Sequence, residues 1–341
     1  MTINAFITGL SGETLTRNER DFIRDSNPWG LILFKRNIKD HQQVITLVSE
    51  FRDTLGRTDA PVLVDQEGGR VQRLGPPHWP KYPPGAAYGR LFDRDPAVGR
   101  AAARLGARLI AADLLALGIT VDCLPLADVP VSQADPVIGD RAYGDTPAKV
   151  SELATCIASG LNDGGVLPVL KHIPGHGRAT ADSHLKLPVV ETDRATLEKT
   201  DFAAFRPLAS LPLGMTAHVV FTAIDRVSPA TTSVKMIRDV IRTFIGFDGL
   251  LMSDDISMNA LSGSIGERSR AAIAAGCDVV LHCNGKLAEM QEVAAAAPAL
   301  QGEAERRAAA ALKARGKPKP LDEAAARREF AEMLTERGMV A

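Results

Sequence analysis

The segment GLILFKRNIKDHQQVITLVSEFRDTLGRTDAPVLVD, residues 30–65, contains two short apolar runs separated by an amphipathic stretch. The runs Gly30–Phe34 and Val62–Asp65 have the length of buried strands, and His41–Leu55 has apolar residues at helical spacing. A strand, a helix and a second strand in this order form the unit from which parallel sheets are built. This segment therefore predicts an α/β fold with a parallel sheet.

The same unit recurs along the whole chain of 341 residues. Six further apolar runs of strand length are Ala5–Thr8, Thr120–Leu124, Leu167–His172, Gly214–Phe221, Leu250–Asp254 and Asp278–Cys283. Amphipathic stretches between the runs include Ala97–Leu117, Pro147–Leu161, Ser233–Ile245 and Glu267–Ala275. Eight such units predict a closed (β/α)8 TIM-type barrel. An open doubly wound sheet would need a glycine-rich phosphate loop after an early strand, and DQEGGR at 65–70 is too charged for one.

We expect one domain over residues 1–341. A proline-containing link at Lys317–Pro320 precedes an amphipathic stretch at about residues 322–337, which predicts a terminal helix packed on the barrel wall. A partner interface is the alternative role for this helix.

Composition narrows the class of partner. Lys and Arg total 40 against 41 for Asp and Glu, so the net charge of -1 does not favour nucleic acid or an anionic membrane surface. The N-terminus has no basic leader with a long apolar run, and no stretch reaches the roughly 18 apolar residues of a membrane span. The four cysteines have no paired C-x-x-C spacing and are expected to be reduced. We therefore expect a cytoplasmic protein, a monomer, whose partner is a small molecule.

Reactive residues follow the predicted strands at the end that forms the active face of a parallel barrel. They are Asp65, Asp128, Lys171, His172, His218, Asp254 and Asp255. Ordinary turns (TDAP, NDGGV and GFDG) precede the runs that end in Asp65, His172 and Asp254, and this asymmetry predicts a site on one face.

The segment KHIPGHGRATADSH, Lys171–His184, contains three of the seven histidines. Its glycine, proline and small polar residues predict a long functional loop rather than a helix. Asp182 lies two residues before His184, close enough to orient the imidazole and raise its basicity. A metal site is an alternative, because His172 and His176 are four residues apart, but Lys171 would repel a cation.

The run LLMSDD places two carboxylates at the barrel mouth, of which only one should face the axis. Spacing alone does not choose between Asp254 and Asp255. A purely structural Asp254 would need a partner such as Arg73 or Arg141. Carboxylate and guanidinium groups suit the hydroxyls of a sugar ring, which presents donors and acceptors and little charge. Three further segments supply such candidate binding groups: Asp65, Glu67, Arg70, Arg73, Asp140, Arg141 and His218. If the enzyme used an Asp/Glu pair, Glu67 would be the second carboxylate.

Taken together, these segments resemble glycoside hydrolase family 3, and within it the short β-N-acetylglucosaminidases of peptidoglycan recycling. The likeness lies in GLILFKRN, VDQEGGRVQRL, IGDRAYG, KHIPGHG with TADSH, SDDISM and GCDVVLHCNG, and covers nearly all of the chain. Two departures are Ile173, where the family usually has phenylalanine, and His282, where an apolar residue is expected. Neither departure touches the residues to which chemistry is assigned, but His282 could alter the floor of the sugar subsite.

The resemblance implies that Asp254 is the nucleophile, His184 the acid/base and Asp182 its orienting partner. It also implies that the sugar and its N-acetyl group are held by Asp65, Arg73, Arg141, Lys171 and His172. The implied activity is that of a retaining exo-β-N-acetylglucosaminidase that needs no cofactor and cuts the β-1,4 bond to (anhydro-)N-acetylmuramic acid in a muropeptide or disaccharide. A phosphorylase with the same intermediate, a metal-dependent hydrolase and a non-catalytic sugar-binding barrel are the alternatives.

Overall fold

A closed barrel of eight parallel strands is the centre of the computed structural model, which describes residues 2–335. The strands are β1 (Asn4–Thr8), β2 (Pro28–Leu33), β3 (Val62–Val64), β4 (Val121–Asp122), β5 (Leu167–Ile173), β6 (Leu213–Thr216), β7 (Leu250–Asp255) and β8 (Val279–His282). Each strand pairs with the next one along the chain, and β8 closes on β1 with Phe6 opposite Val280. The predicted TIM-type barrel is confirmed.

One predicted strand is divided. The apolar run from 214 to 221 leaves the barrel after Thr216, and Val220–Phe221 pairs instead with Val189–Val190 outside it. Both parts are buried, so apolar character alone did not reveal the break. The prediction of a single strand over Gly214–Phe221 is therefore wrong, and His218 lies in the connection.

Helices surround the barrel on its outer side. They are α1 (Arg17–Ser26), α2 (His41–Leu55), α3 (Gly85–Arg94), α4 (Pro96–Leu115), α5 (Pro147–Asp163), α6 (Arg194–Lys199), α7 (Ile265–Ala275), α8 (Leu287–Ala296), α9 (Gly302–Ala314) and α10 (Glu323–Thr335). The predicted helix at Ser233–Ile245 is a π-helix over Met236–Ile245.

The helix α2 shows how the sequence determines where a helix begins, where it ends and which face it buries. Asp40 caps its start by accepting a hydrogen bond from the backbone N–H of Gln43, and Gly56 ends it at a φ of 65°. The side chains that repeat every three or four residues are buried: Val44, Leu47, Val48, Phe51 and Leu55. Burying each such side chain stabilises the fold by roughly 1.5–3 kcal/mol.

Side chains alternate along the barrel strands between two cores. One core draws residues from all eight strands and from α9, and it includes Leu250 and Met252 of β7. The other contains Leu251 and lies between the strands and the outer helices. This alternation decides which side chains at the end of each strand face the axis.

The terminal helix α10 packs against α4. Phe330 is buried beside Tyr82 and Tyr88, with ring centroids 6.3 and 6.5 Å away, and Arg327 forms a salt bridge of 2.6 Å with Asp113. Residues 336 and 337 of the predicted terminal helix lie outside the described residues. The four cysteines are unpaired, and over residues 2–335 no helix has the length and apolarity needed to span a membrane.

Candidate active site

The C-terminal ends of the barrel strands surround a cavity of about 300 Å³. Its volume is at the lower end of the range for small-molecule sites. All eight residues to which the family resemblance assigned roles line it: Asp65, Arg73, Arg141, Lys171, His172, Asp182, His184 and Asp254. Asp140 and His218, also candidates from the sequence, do not line it, and Asp140 pairs with Arg70 at 3.6 Å. The cavity wall also contains Glu67, Arg70, His176 and Asp255.

Strand alternation directs Asp254 into this cavity. It follows Leu250 and Met252 at intervals of two residues, and those side chains belong to the core inside the barrel. Asp65 follows Leu63 in the same way on β3. Met215 of β6 belongs to the core inside the barrel and also lines the cavity.

The carboxylate of Asp254 has no ion pair within residues 2–335. Its Oδ1 accepts a hydrogen bond of 2.8 Å from the backbone N–H of Asp255. Burial would raise the pKa of this carboxyl, but electrostatic interaction with His218 and His172 and the Asp255 N–H hold it below its ordinary value. Asp254 is therefore an ionised carboxylate facing an open cavity.

Asp255 has a different role in the loop after β7. Its Oδ1 accepts the backbone N–H groups of Ser257 and Cys283 at 3.0 and 3.2 Å, and its Oδ2 accepts the Ser257 hydroxyl at 2.6 Å. These bonds join the ends of β7 and β8. The two adjacent aspartates are thus distinguished by their partners.

A buried network of charges forms the opposite wall. Lys171 forms salt bridges with Asp65 at 3.0 Å and Glu67 at 2.7 Å, Arg73 pairs with Asp65 at 2.9 Å, and Arg141 binds both carboxylate oxygens of Glu67 at 2.8 and 2.9 Å. Burial would raise the pKa of Glu67, but Arg141 and Lys171 lower it to about 2. Arg73 and Arg141 were possible partners of a structural Asp254, but in the structure they pair with Asp65 and Glu67.

The segment DQEGGR is a hairpin, Gln66–Gly68 paired with Val71–Gln72. The side-chain oxygen of Gln66 accepts the N–H groups of Arg73 and Leu74, each at 3.0 Å. Gly68 has a φ of 94°, and a Cβ there would lie 2.3 Å from the carbonyl oxygen of Pro83. The hairpin therefore fixes the direction of Arg73, a role for Gln66 and Gly68 that sequence reasoning did not find.

Asp128 orients two histidines at the end of β5. Its Oδ2 lies 2.7 Å from Nδ1 of His172, and its Oδ1 accepts the backbone N–H of His176 at 2.6 Å. The imidazole of His172 is thereby held with its other nitrogen free to meet a ligand. The position of Asp128 at a strand end was the available signal, but its partners were not apparent because 44 residues separate it from His172.

The pair Asp182 and His184 lies on the loop after β5. Asp182 Oδ1 is 2.8 Å from Nδ1 of His184 and also accepts the His184 backbone N–H at 2.9 Å. Burial would raise the pKa of Asp182, but these two bonds lower it. The His184 side chain is 66% exposed, in contrast to the buried wall across the cavity.

Two other histidines do not reach the cavity. The ring of His218 is buried, with Nδ1 2.6 Å from the Thr231 hydroxyl and Nε2 donating to the carbonyl of Asp255 at 3.0 Å. His282 points away from the axis and pairs through Nε2 with Glu289 at 3.1 Å. The expectation that His282 alters the subsite floor is wrong. Side chains alternate along the strand, and those of Leu281 and Cys283 face the cavity, whereas that of His282 faces away from it.

The His172 and His176 spacing does not produce a metal-ligand set. Their rings lie 5.8 Å apart, centroid to centroid, in an edge-to-face arrangement. Within the part of the chain that the structure describes, no cluster of three or more His, Cys, Asp or Glu residues could hold an ion.

Comparison with known proteins extends the sequence resemblance. Residues 6–313 match the model of the glycosyl hydrolase family 3 N terminal domain. The chain belongs to glycoside hydrolase family 3. It is 40% identical over 288 residues to the β-hexosaminidase of Alkalilimnicola ehrlichii. The aligned segment covers 83% of this chain and 82% of that relative. The β-hexosaminidase of Aromatoleum aromaticum is 38% identical over 279 residues, with coverage of 81% and 78%.

The architecture of a solved family member is also similar. NagZ from Neisseria gonorrhoeae, crystallised in complex with N-trifluoroacetyl-D-glucosamine, superposes with a TM-score of 0.88 at 30% identity. The alignment covers 98% of this chain and 99% of that one. The closed (β/α)8 barrel is thus the architecture that this chain shares with NagZ from Neisseria gonorrhoeae.

Proposed function

We propose that this chain is a retaining exo-β-N-acetylglucosaminidase that releases N-acetylglucosamine from peptidoglycan fragments through a covalent intermediate on Asp254. The general activity, that of a β-N-acetylhexosaminidase, follows from the family of this chain and from the β-hexosaminidases that the chain matches. The bond cut is the β-1,4 linkage to (anhydro-)N-acetylmuramic acid.

The observation that carries the proposal is the contrast between Asp254 and the other carboxylates of the cavity. Asp65 and Glu67 form salt bridges with cations, and Asp255 is bonded to backbone and hydroxyl groups. Among the described carboxylates that line the cavity, Asp254 alone is an ionised group with no ion pair and with one oxygen, Oδ2, that accepts no hydrogen bond. A nucleophile needs this combination, because its electron pair must be free to attack.

The first step joins Asp254 to the sugar. Protonated His184 donates a proton to the glycosidic oxygen as Asp254 attacks the anomeric carbon, so that the bond to the aglycone breaks and the aglycone leaves with that proton. Neutral His184 then takes a proton from water. The resulting hydroxide attacks the anomeric carbon, Asp254 is released, and two inversions retain the configuration.

The buried wall is suited to a sugar. Asp65, Arg73, Arg141, Lys171 and His172 present acceptors and donors around a space of about 300 Å³, which favours one terminal ring with its N-acetyl group. The ion pairs hold these groups in place before the substrate arrives, so little ordering is needed on binding.

Further features of the proposal follow from the substrate. We place the enzyme in the cytoplasm, where fragments returned from the cell wall would be processed, and we infer that it acts as a monomer with one catalytic domain. Size-exclusion chromatography with light scattering tests the monomer, and fractionation of cells tests the compartment.

A slow fluorinated N-acetylglucosaminyl substrate tests the nucleophile. The glycosyl ester should accumulate, and sequencing of the labelled peptide should find the label on Asp254; a label on Asp255 or Glu67 would refute the assignment.

Parallel assays with and without phosphate test whether water or phosphate accepts the sugar from the intermediate. Release of N-acetylglucosamine 1-phosphate would contradict hydrolysis.

A further inference from the structure

Ser183 differs from its neighbours on the loop after β5. It lies between Asp182, whose side chain is 28% exposed, and His184, whose side chain is 66% exposed, yet Ser183 itself is only 3% exposed. A small polar residue buried in an exposed turn must satisfy its hydroxyl within the protein.

Two hydrogen bonds meet at this serine. Its hydroxyl lies 3.2 Å from Nε2 of His176, and its carbonyl accepts the backbone N–H of Ala260 at 3.1 Å. Within residues 2–335, these are the hydrogen bonds that join the tip of the loop, residues 180–187, to the rest of the protein. The remaining bonds of the tip are internal, from His184, Leu185 and Lys186 back to Asp182.

The first partner of Ser183 is held firmly. The backbone N–H of His176 donates to buried Asp128, and the His176 ring packs edge to face on His172. A Cβ at Gly177 would lie 2.1 Å from the carbonyl oxygen of Val129, so the chain passes too close to that loop to shift freely. The hydroxyl of Ser183 is thus bonded to a fixed ring.

The second partner belongs to the loop that follows the nucleophile strand. That loop is stabilised by the carboxylate of Asp255 and by Arg268, which donates to the carbonyls of Ile256 and Met258 at 3.0 and 3.1 Å. Ala260 therefore gives the carbonyl of Ser183 a fixed position relative to the end of β7.

We propose that Ser183 is a positioning residue that fixes the turn of Asp182 and His184 relative to Asp254 by bonding to His176 on one side and Ala260 on the other. The inference rests on the proposed roles of His184 and Asp254. Because the turn closes on itself through the carbonyl of Asp182, the position of Ser183 determines where the imidazole stands over the cavity. Proton transfer requires hydrogen-bond contact, so a displaced turn slows the step that needs the proton.

Leaving groups of different acidity separate this role from a general structural one. In Ser183→Ala, kcat/KM for phenyl β-N-acetylglucosaminide should fall about tenfold, because the poor leaving group needs the proton of His184. For the 2,4-dinitrophenyl glycoside, whose leaving group departs as an anion, the loss should stay within about twofold. Thr180→Ala is the matched control, since Thr180 is exposed in the same loop and should leave both substrates unaffected.

A double-mutant cycle tests whether Ser183 acts through His184. In the His184→Ala background, Ser183→Ala should cause no further loss on the phenyl substrate, and His176→Phe should reproduce the Ser183→Ala pattern in the parent enzyme. An equal loss for both leaving groups, or an additive loss in the cycle, would overturn the inference. If His184→Ala alone left the phenyl substrate unaffected, the proposed function would fail instead.

Discussion

The two walls of the cavity are built in opposite ways. On the strand side, Lys171 and Glu67 are 2% and 5% exposed and belong to a continuous set of ion pairs. On the loop side, His184 is 66% exposed, and its turn is joined to the protein by two hydrogen bonds at Ser183. The difference shows that the proposed sugar-binding groups are fixed in advance, whereas the proposed proton donor is on a weakly attached segment. Binding, bond cleavage and proton transfer should therefore respond to different substitutions.

The largest effect is expected from Asp254→Ala. Loss of the nucleophile should lower kcat by about 10⁴-fold or more, while KM changes little because the strand wall is intact. Sodium azide should restore turnover and yield the α-glycosyl azide, which chromatography and NMR identify. Retention of more than a few per cent of parent kcat would show that another group forms the intermediate.

His184→Ala should remove proton transfer without disturbing the fold. A loss of roughly 10²–10³-fold in kcat/KM is expected for aglycones that leave poorly, with little change in kcat/KM for the 2,4-dinitrophenyl glycoside, whose first step needs no proton. Azide should here give the β-glycosyl azide, the opposite anomer to that from Asp254→Ala. A melting temperature well below that of the parent enzyme would contradict the weak attachment of this loop.

Glu67→Gln should damage the strand wall. It leaves Lys171 and Arg141 buried with reduced compensation, and we expect a loss of about 3–5 kcal/mol in the free energy of unfolding together with a raised KM. Urea titration measures the free energy of unfolding, and steady-state kinetics measure KM. Glu152→Gln is the control, because Glu152 and its partner Arg100 are 42% and 44% exposed and the change should cost at most about 1 kcal/mol.

A smaller, pH-dependent effect is expected at His176, which follows β5 and bonds to Asp128 and Ser183. Burial, followed by the neighbouring His172, lowers its pKa from 6.5 to about 4. Between these values the unfolded chain takes up a proton that the folded protein does not, so stability falls as the pH drops from 6.5 and levels off below about 4. This group should contribute a loss of about 3 kcal/mol over that window.

His176→Phe isolates that contribution. Unfolding in urea at pH 7, 5.5 and 4 should show a steeper decline for the parent enzyme than for the variant. Parallel declines would mean that the pKa of His176 is the same in the folded and the unfolded protein.

Local periodicity was sufficient to predict the barrel. The helix His41–Leu55 has the predicted bounds, and the strand run from Leu167 ends one residue later than predicted. The choice between Asp254 and Asp255 was not accessible from spacing, because β7 is apolar on both faces and its sequence carries no alternation to read.

The site was predictable to the extent that its residues stand at strand ends. What the sequence did not reveal were the pairings, since Arg141 meets Glu67 across 74 positions and Lys171 meets Asp65 across 106. The hairpin at Gln66 was missed for a related reason. Its residues are polar, and a side-chain amide and a close approach to Pro83 stabilise it rather than any hydrophobic pattern.

The helix α10 is connected by hydrogen bonds to the hairpin beside the proposed sugar pocket. Its Arg327 binds Asp113, Asp113 accepts the hydroxyl of Tyr82, and the backbone of Tyr82 donates to the Gln72 side chain next to Arg73. The family match ends at residue 313, so α10 and its Arg327 lie beyond the segment that the family model covers, whereas Asp113, Tyr82 and Gln72 lie within it. Truncation before Glu323 would remove Arg327 from this path, so we expect it to raise KM even though the helix itself lies on the outside of the barrel.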